Sequence, residues 1–350
     1  MFSIQNLVRP HILTLKPYSS ARDEYTGTDG IFLDANENPI GSVLENEKYN
    51  RYPDPYQRKL KEKLAIIKNC RPAQIFLGNG SDEPIDLLLR AFCEPKQDNI
   101  ILMPPTYGMY EVSADLNLVT IKKLNLTTDF QIDINAVLKA IDKNTKLIFV
   151  CSPNNPTANS LKKVHIRLLL SSFGGLVVVD EAYIDFSKDK SWIEELHDFP
   201  NLVVLQTFSK AWGLAALRLG MAFASEEIVQ ILNKIKPPYN VNAATQQLAL
   251  QALDNVERKN TMVQTILAER TRLVAELVKI PCVVHVYPSE ANFVLVKMTN
   301  AKRIYDYLVE QKIIVRDRSK VILCEDCLRI TVGTAAENAK LLNTLSEYQA

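Results

Sequence analysis

Two apolar runs end in residues that could do chemistry. Residues 176–179 are Leu-Val-Val-Val and lead directly into Asp180-Glu181-Ala182-Tyr183. Residues 202–206 lead into Thr207-Phe208-Ser209-Lys210, and Arg218 follows eight positions after the lysine. A lysine amine is the nucleophile that forms a Schiff base with a carbonyl, and a carboxylate is the partner that a protonated pyridine nitrogen requires. Ser209 and Arg218 suit a phosphate group, one as a hydroxyl and the other as a fork of N–H donors. Taken singly, each of these residues is ordinary on a protein surface. Their common position at the ends of buried runs points to a pyridoxal phosphate site.

Three further turns have the same form. Ile75-Phe76-Leu77 runs into Gly78-Asn79-Gly80-Ser81-Asp82-Glu83 and then an apolar helical stretch. A strand, a glycine turn and a helix N-terminus together make an anion cradle, because unpaired backbone N–H groups face the ligand there. Glu83 stands where a dinucleotide fingerprint needs its third glycine, and no Gly-Lys-Ser/Thr follows, so neither nucleotide motif is present. After residues 99–103 comes Pro104-Pro105-Thr106-Tyr107-Gly108, with an aromatic ring suited to stacking on a pyridine. After residues 146–151 comes Ser152-Pro153-Asn154-Asn155-Pro156-Thr157, with an amide suited to a phenolic oxygen. Core packing for Tyr107 and a turn role for Asn155 are the structural alternatives.

These turns need strands to carry them. The runs 99–103, 146–151, 176–179, 202–206 and 219–224 are continuously apolar and not alternating, which predicts parallel strands covered by helices on both faces. Helical periodicity marks 56–68 and 262–279, the second long, amphipathic and stopped at Pro281. Beyond it, 283–287, 292–297, 313–316 and 327–332 read as shorter strands around a helix at 301–311. The expected architecture is α/β: a large domain at 46–279 with a mostly parallel sheet, and a smaller α+β unit formed by 280–350 with an N-terminal arm at 1–45.

The composition sets limits on function. The 350 residues are 47% hydrophobic and 23% charged, with a formal charge of +1, so there is no basic excess for nucleic acid. No apolar run reaches the roughly 18 residues of a membrane span, and the first residues lack a signal-peptide pattern. A cytoplasmic location is expected. Six cysteines are too few for a disulfide framework. Cys324-Glu325-Asp326-Cys327 lacks the second ligand pair a zinc site needs, and His11, His165, His197 and His285 are scattered. No metal is expected.

With these residues in view, the chain resembles the fold type I pyridoxal-phosphate aminotransferases. The resemblance runs nearly end to end, through residues 34–39 (Asp-Ala-Asn-Glu-Asn-Pro), Arg51-Tyr52-Pro53, Gly80-Ser81-Asp82-Glu83 and the stretch from Pro105 to Tyr110. It continues through residues 152–156, Asp180-Glu181-Ala182-Tyr183, Ser209-Lys210-Ala211 and residues 328–333 (Leu-Arg-Ile-Thr-Val-Gly). The lysine and acid motifs specify only the fold type; the first, second and last of these elements are similar to the histidinol-phosphate branch.

The resemblance implies that Lys210 binds pyridoxal 5'-phosphate covalently and that Asp180 pairs with the ring nitrogen. Asn155 and Tyr183 then meet the phenolic oxygen, and Tyr107 stacks on the ring. Gly80, Ser81, Asp82 (through its backbone), Thr207, Ser209 and Arg218 surround the phosphate. Tyr52 reaches the site of a neighbouring subunit, which makes a homodimer part of the active site. Arg329 holds the substrate anion, with Arg316, Tyr18, Asn36, Asn155, Asn292 and Arg22 as further candidates around it. Ala158 and Ala216 stand where glycines are common in the family, which affects expected loop geometry and not the reaction. The implied reaction transfers an amino group from L-histidinol phosphate to 2-oxoglutarate, so one pocket must take a phosphate ester and a carboxylate in turn. An aromatic-amino-acid aminotransferase, a phosphothreonine decarboxylase and a non-catalytic pyridoxal-phosphate regulator remain open from these residues alone.

Overall fold

The computed structural model describes residues 3–18, 30–44 and 49–348. Its centre is a seven-stranded sheet made of β1 (Ile75–Asn79), β2 (Asn99–Leu102), β3 (Thr120–Lys123), β4 (Thr145–Cys151), β5 (Leu176–Asp180), β6 (Leu202–Thr207) and β7 (Leu219–Phe223). The spatial order is β1-β7-β6-β5-β4-β2-β3. Only β7 runs against its neighbours: β1 and β6 both pair with it antiparallel, and every other pairing is parallel. The carboxyl ends of β1, β2, β4, β5 and β6 therefore share one edge of the sheet with the start of β7. That edge is where an open α/β sheet places its ligands.

Continuous apolar sequence gives this sheet a core on each side. Ile75, Leu77, Val177, Val179 and Val204 join one buried cluster with Phe208 and Trp212. Phe76, Phe149, Val178, Val203 and Leu205 join the other, with the helix at Asp82–Phe92. Alternate residues of one strand thus go to opposite faces, and both faces are dry. The pattern missed β3, whose residues Thr-Ile-Lys-Lys lie at the sheet edge, half-buried or exposed. It also gave no hint that β7 is reversed, since strand direction leaves no mark on an apolar run.

The smaller sheet orders β10 (Arg316–Asp317), β11 (Cys327–Thr331), β9 (Phe293–Met298) and β8 (Val283–Val286), all antiparallel. The strand expected at 313–316 forms only at Arg316–Asp317. One face of this sheet, with Val294, Val296, Leu328 and Ile330, packs on the helices Val256–Leu277, Ala301–Glu310 and Ala335–Glu347 in a core of its own. The other face, with Phe293, Leu295 and Cys327, is buried against the large sheet's layers. Cys324 is buried there too, so the C-x-x-C pair serves as apolar packing.

The helix Val256–Leu277 starts six residues before the periodicity suggested and ties the two units together. Its Arg270 donates to the carbonyls of Ala291 (2.7 Å) and Phe186 (3.3 Å), one before β9 and the other just after β5. Arg270→Leu leaves both half-buried carbonyls without a charged donor and should lower stability by about 2 kcal/mol. Chemical denaturation would read this as a lower midpoint at unchanged slope.

Candidate functional site

The shared strand edge opens into a cleft lined by Gly80, Ser81, Asp82, Tyr107, Asn155, Asp180, Tyr183, Thr207, Ser209, Lys210 and Arg218, with about 600 Å³ of space between its walls. Eleven residues named from sequence thus converge from five strand ends and the start of β7. Asn36, Tyr18, Asn292, Tyr52, Arg316 and Arg329 lie outside this lining, and Arg22 lies outside the described residues.

Asp180 closes β5 at 2% exposed. Its carboxylate accepts from the Tyr110 hydroxyl (2.7 Å) and from the Ala182 backbone N–H (3.0 Å). Burial pushes its pKa up from 3.8 to about 6, against the pull of those two donors and of Lys210. A buried acid with so few partners suits a cationic N–H arriving from a ligand. Tyr110 is fully buried, stacked on Phe149 with centroids 4.8 Å apart, and its own hydroxyl pKa is driven upward by burial and then by Asp180. Sequence reading gave Tyr110 no role. Its position three residues after Tyr107, at the start of the helix Met109–Leu116, was the available signal.

Lys210 follows β6, its Nζ 5.7 Å from the centroid of the Tyr183 ring. Its pKa is lowered, chiefly by burial and then by the Arg329 guanidinium. A fraction of neutral amine is what nucleophilic attack or proton abstraction needs. Tyr183 is buried, which raises its hydroxyl pKa, and its oxygen lies 3.4 Å from Asn155 Nδ2. Asn155 Oδ1 accepts from Arg329 Nη1 at 2.5 Å. A hydrogen-bonded path therefore runs from the cleft floor to the small sheet, and it brings Arg329 to the cleft's rim. Arg316 is its directly paired neighbour across β10 and β11.

The cradle after β1 is built by close backbone approach. Gly80 has φ +71°, a Cβ there would meet Arg218 Nη2 at 2.7 Å, and its N–H donates to the Arg218 carbonyl at 2.6 Å. Gly220, in β7, faces it: a Cβ on Gly220 would sit 2.1 Å from the Gly80 carbonyl carbon and 2.2 Å from Ser81 N. Sequence reading did not single out Gly220. Asp82 opens the helix Asp82–Phe92, accepts from the Tyr107 hydroxyl (3.2 Å) and lies 3.5 Å from Arg218 Nη2. Thr207 and Ser209 hydroxyls are 3.0 Å apart on the opposite wall. Free N–H groups, two hydroxyls and a guanidinium form a donor set for phosphate. An amine, a buried acid and a flanking aromatic ring complete what pyridoxal 5'-phosphate requires.

The two family departures resolve differently. Ala158 keeps a glycine-like backbone at φ +68°, fully buried against Tyr183 and Phe186. Ala216 lies in a single turn, Ala215–Leu217, an ordinary place for alanine.

Tyr52 and Asn36 line a second groove on the same chain, with Glu37, Arg51 and Tyr239. Tyr52 stacks on Tyr239 (4.5 Å between centroids) and is 51% exposed. Its N–H donates to Glu37, which also pairs with Arg51 at 2.6 Å. Tyr18 is exposed, and Asn292 uses its carbonyl to hold Val332 beside the small sheet.

A model of the family described as aminotransferase class I and II matches residues 25–345. The chain is 58% identical to a histidinol-phosphate aminotransferase of Cytophaga hutchinsonii, over 99% of each chain. Among solved structures it is similar to the histidinol-phosphate aminotransferase of Clostridium acetobutylicum, with a TM-score of 0.79 at 25% identity, covering 85% of this chain and 90% of that one. The same fold is seen in the histidinol-phosphate aminotransferase of Sinorhizobium meliloti in complex with pyridoxal-5'-phosphate, with a TM-score of 0.79 at 24% identity and 89% of each chain covered.

Two outcomes follow from the geometry. In cofactor-free protein, Asp180 binds its proton more tightly folded than unfolded, so stability falls as pH rises from about 4 through about 6 and is then level, a loss of at most about 3 kcal/mol. Asp180→Asn should therefore melt higher than wild type at about pH 7.5, with the gap closing near pH 4, as followed by scanning fluorimetry. Gly220→Ala should push Gly80 and Ser81 out of place and weaken retention of pyridoxal 5'-phosphate by about tenfold or more. Equilibrium dialysis measures this, with circular dichroism to check the fold.

Proposed function

The chain belongs to the class I and II aminotransferases, and we propose on that premise that it transfers the amino group of L-histidinol phosphate to 2-oxoglutarate, giving imidazole-acetol phosphate and L-glutamate for histidine biosynthesis. The observation that carries the chemistry is the meeting of Lys210, the buried Asp180 and the Arg329–Asn155–Tyr183 path at one cleft. Similarity over the whole length to histidinol-phosphate aminotransferases carries the choice of substrate.

When bound, pyridoxal 5'-phosphate supplies an electron-withdrawing ring and carries the amino group between the two substrates. Asp180 would hold the ring nitrogen protonated, its negative charge kept in place by Tyr110 and the Ala182 N–H. Ser81, Ser209, Thr207 and Arg218 would hold the phosphate, with Gly80 and the backbone of Asp82 completing the cradle. Tyr107 would cover one ring face, and Asn155 and Tyr183 the phenolic oxygen. Lys210 Nζ, its basicity reduced by burial and by Arg329, takes the proton from the substrate α-carbon and stores it on nitrogen. Arg329 grips the substrate anion in both half-reactions, because its planar fork fits a phosphate and a carboxylate equally. The guanidinium that binds the anion is also one that lowers the base's pKa.

Homodimerisation with Tyr52 contributed to the partner's site is part of the same proposal. Ile31, Leu33, Ile40 and Val43 are all 85% exposed or more, beside the groove that holds Tyr52. Apolar side chains left so exposed, in the segment that supplies Asn36 and Glu37 to that groove, support burial against a second copy. No helix among the described residues is long and apolar enough to cross a membrane.

The first test is the visible spectrum of the purified holoenzyme mixed with L-histidinol phosphate and no keto acid. Bleaching of the bound cofactor's band by this substrate is the expected result. Bleaching by glutamate or phenylalanine alone would move the function to a sister aminotransferase. Lys210→Ala should lose the band and reduce turnover by about 10³-fold or more.

A further inference from the structure

The anion end of the pocket holds more positive charge than one arginine. Arg316 is paired with Arg329 across β10 and β11, and Asp317 with Leu328. The ladder continues one step further, where Arg318 N–H donates to the Cys327 carbonyl at 2.9 Å. Side chains at paired positions share a face, and faces alternate along a strand. Arg316, Arg318 and Arg329 therefore stand on one face of the small sheet. It is the face whose Phe293, Leu295 and Cys327 pack toward the large domain, and from which Arg329 reaches Asn155.

Asp317 offsets part of this charge electrostatically without pairing to any of the three arginines. Among the described residues no carboxylate lies within ion-pair distance of any of the three arginines. The neighbouring Asp317 belongs to the opposite face and accepts from Ser319 N–H at 2.8 Å. Arg318 Nε is buried with no hydrogen-bond partner, a state that costs free energy unless a ligand fills it. Burial, then Arg329 and then Arg316 lower the pKa of Arg318, so its guanidinium lies within electrostatic reach of both. Lys297, paired with Cys327, adds a further cation on this side, and Tyr287 has its hydroxyl pKa raised by burial beside Cys327 and Cys324, and so brings no negative charge.

We propose that Arg318 is a third arginine of the substrate-anion site and sets its preference for a phosphate monoester dianion over a carboxylate. This rests on the transamination reading above and adds to it a residue that selects between the two substrates. A phosphate monoester carries close to two negative charges at neutral pH, with its second ionisation near pH 6. A carboxylate carries one. Each added cation attracts the dianion about twice as strongly as the monoanion at the same distance. Arg329 alone suits both substrates, and Arg318 tilts the site toward the phosphate.

The test compares wild-type holoenzyme with Arg318→Gln and Arg318→Lys in steady-state assays. In Arg318→Gln, KM for L-histidinol phosphate should rise about tenfold more than KM for 2-oxoglutarate, and inhibition by inorganic phosphate should weaken in parallel. Arg318→Lys should restore part of both effects. In wild type, KM for L-histidinol phosphate should rise as pH falls below 6, and in Arg318→Gln this rise should flatten. Equal changes in the two KM values, or no change in either, would overturn the role of Arg318. Unaltered phosphate inhibition would do the same, even for a variant too unstable for full kinetics. A wild-type enzyme that ignores L-histidinol phosphate would instead overturn the substrate reading beneath it.

Discussion

A carboxylate held almost dry at the end of a central strand is the constraint around which this molecule is arranged. Asp180 occupies the last position of β5, between β4 and β6, and among the described residues only Tyr110 and one backbone N–H donate to its carboxylate. Water cannot solvate it there, so the fold carries its cost until a cation arrives. Tyr110 stacks on Phe149, meets Tyr107 edge-on and donates its hydroxyl to Asp180. The low solvation that raises the pKa of Asp180 also lowers that of Lys210. Acid and base are tuned in opposite directions by one physical cause.

The second dependency is the coupling of two sheets. The small sheet makes its own core on one face and uses the other to deliver guanidinium groups to the large domain. Arg329 touches Asn155, Asn155 touches Tyr183, and Tyr183 packs edge-on against Phe293 beside Arg329. A displacement of Arg329 is therefore felt by the groups around Lys210 through three contacts. Arg270 holds the carbonyls on either side of this junction at a fixed separation.

Much of this was legible in the residues. The turn after each long apolar run held its chemistry, because a strand buried on both faces leaves its polar groups at its end. Lys210, Asp180, Asn155 and Tyr107 were readable for that reason. Tyr110 and Gly220 were not. A buried tyrosine looks like core until its hydroxyl is seen to meet an acid, and a strand glycine looks incidental until another backbone is found 2.1 Å from its missing Cβ. Arg318 had no signal either, since a charged residue just beyond the strand expected at 313–316 reads as solvent-facing.

The sequence by itself determined most of the strands, several of the helices and the kinds of functional group at the strand ends, because burial pattern and turn chemistry are local properties. Tertiary structure alone decided that β7 runs backwards, which brings Arg218 and Gly220 to the glycine turn after β1 at the edge that β1 and β6 share. It also decided which residues stay away from the cleft of their own chain: Tyr52 and Asn36 lie in a separate groove. Pairing direction, cross-strand register and the approach of distant backbones depend on contacts between segments far apart in the chain. No local pattern encodes them, and the packing of the whole fold selects them.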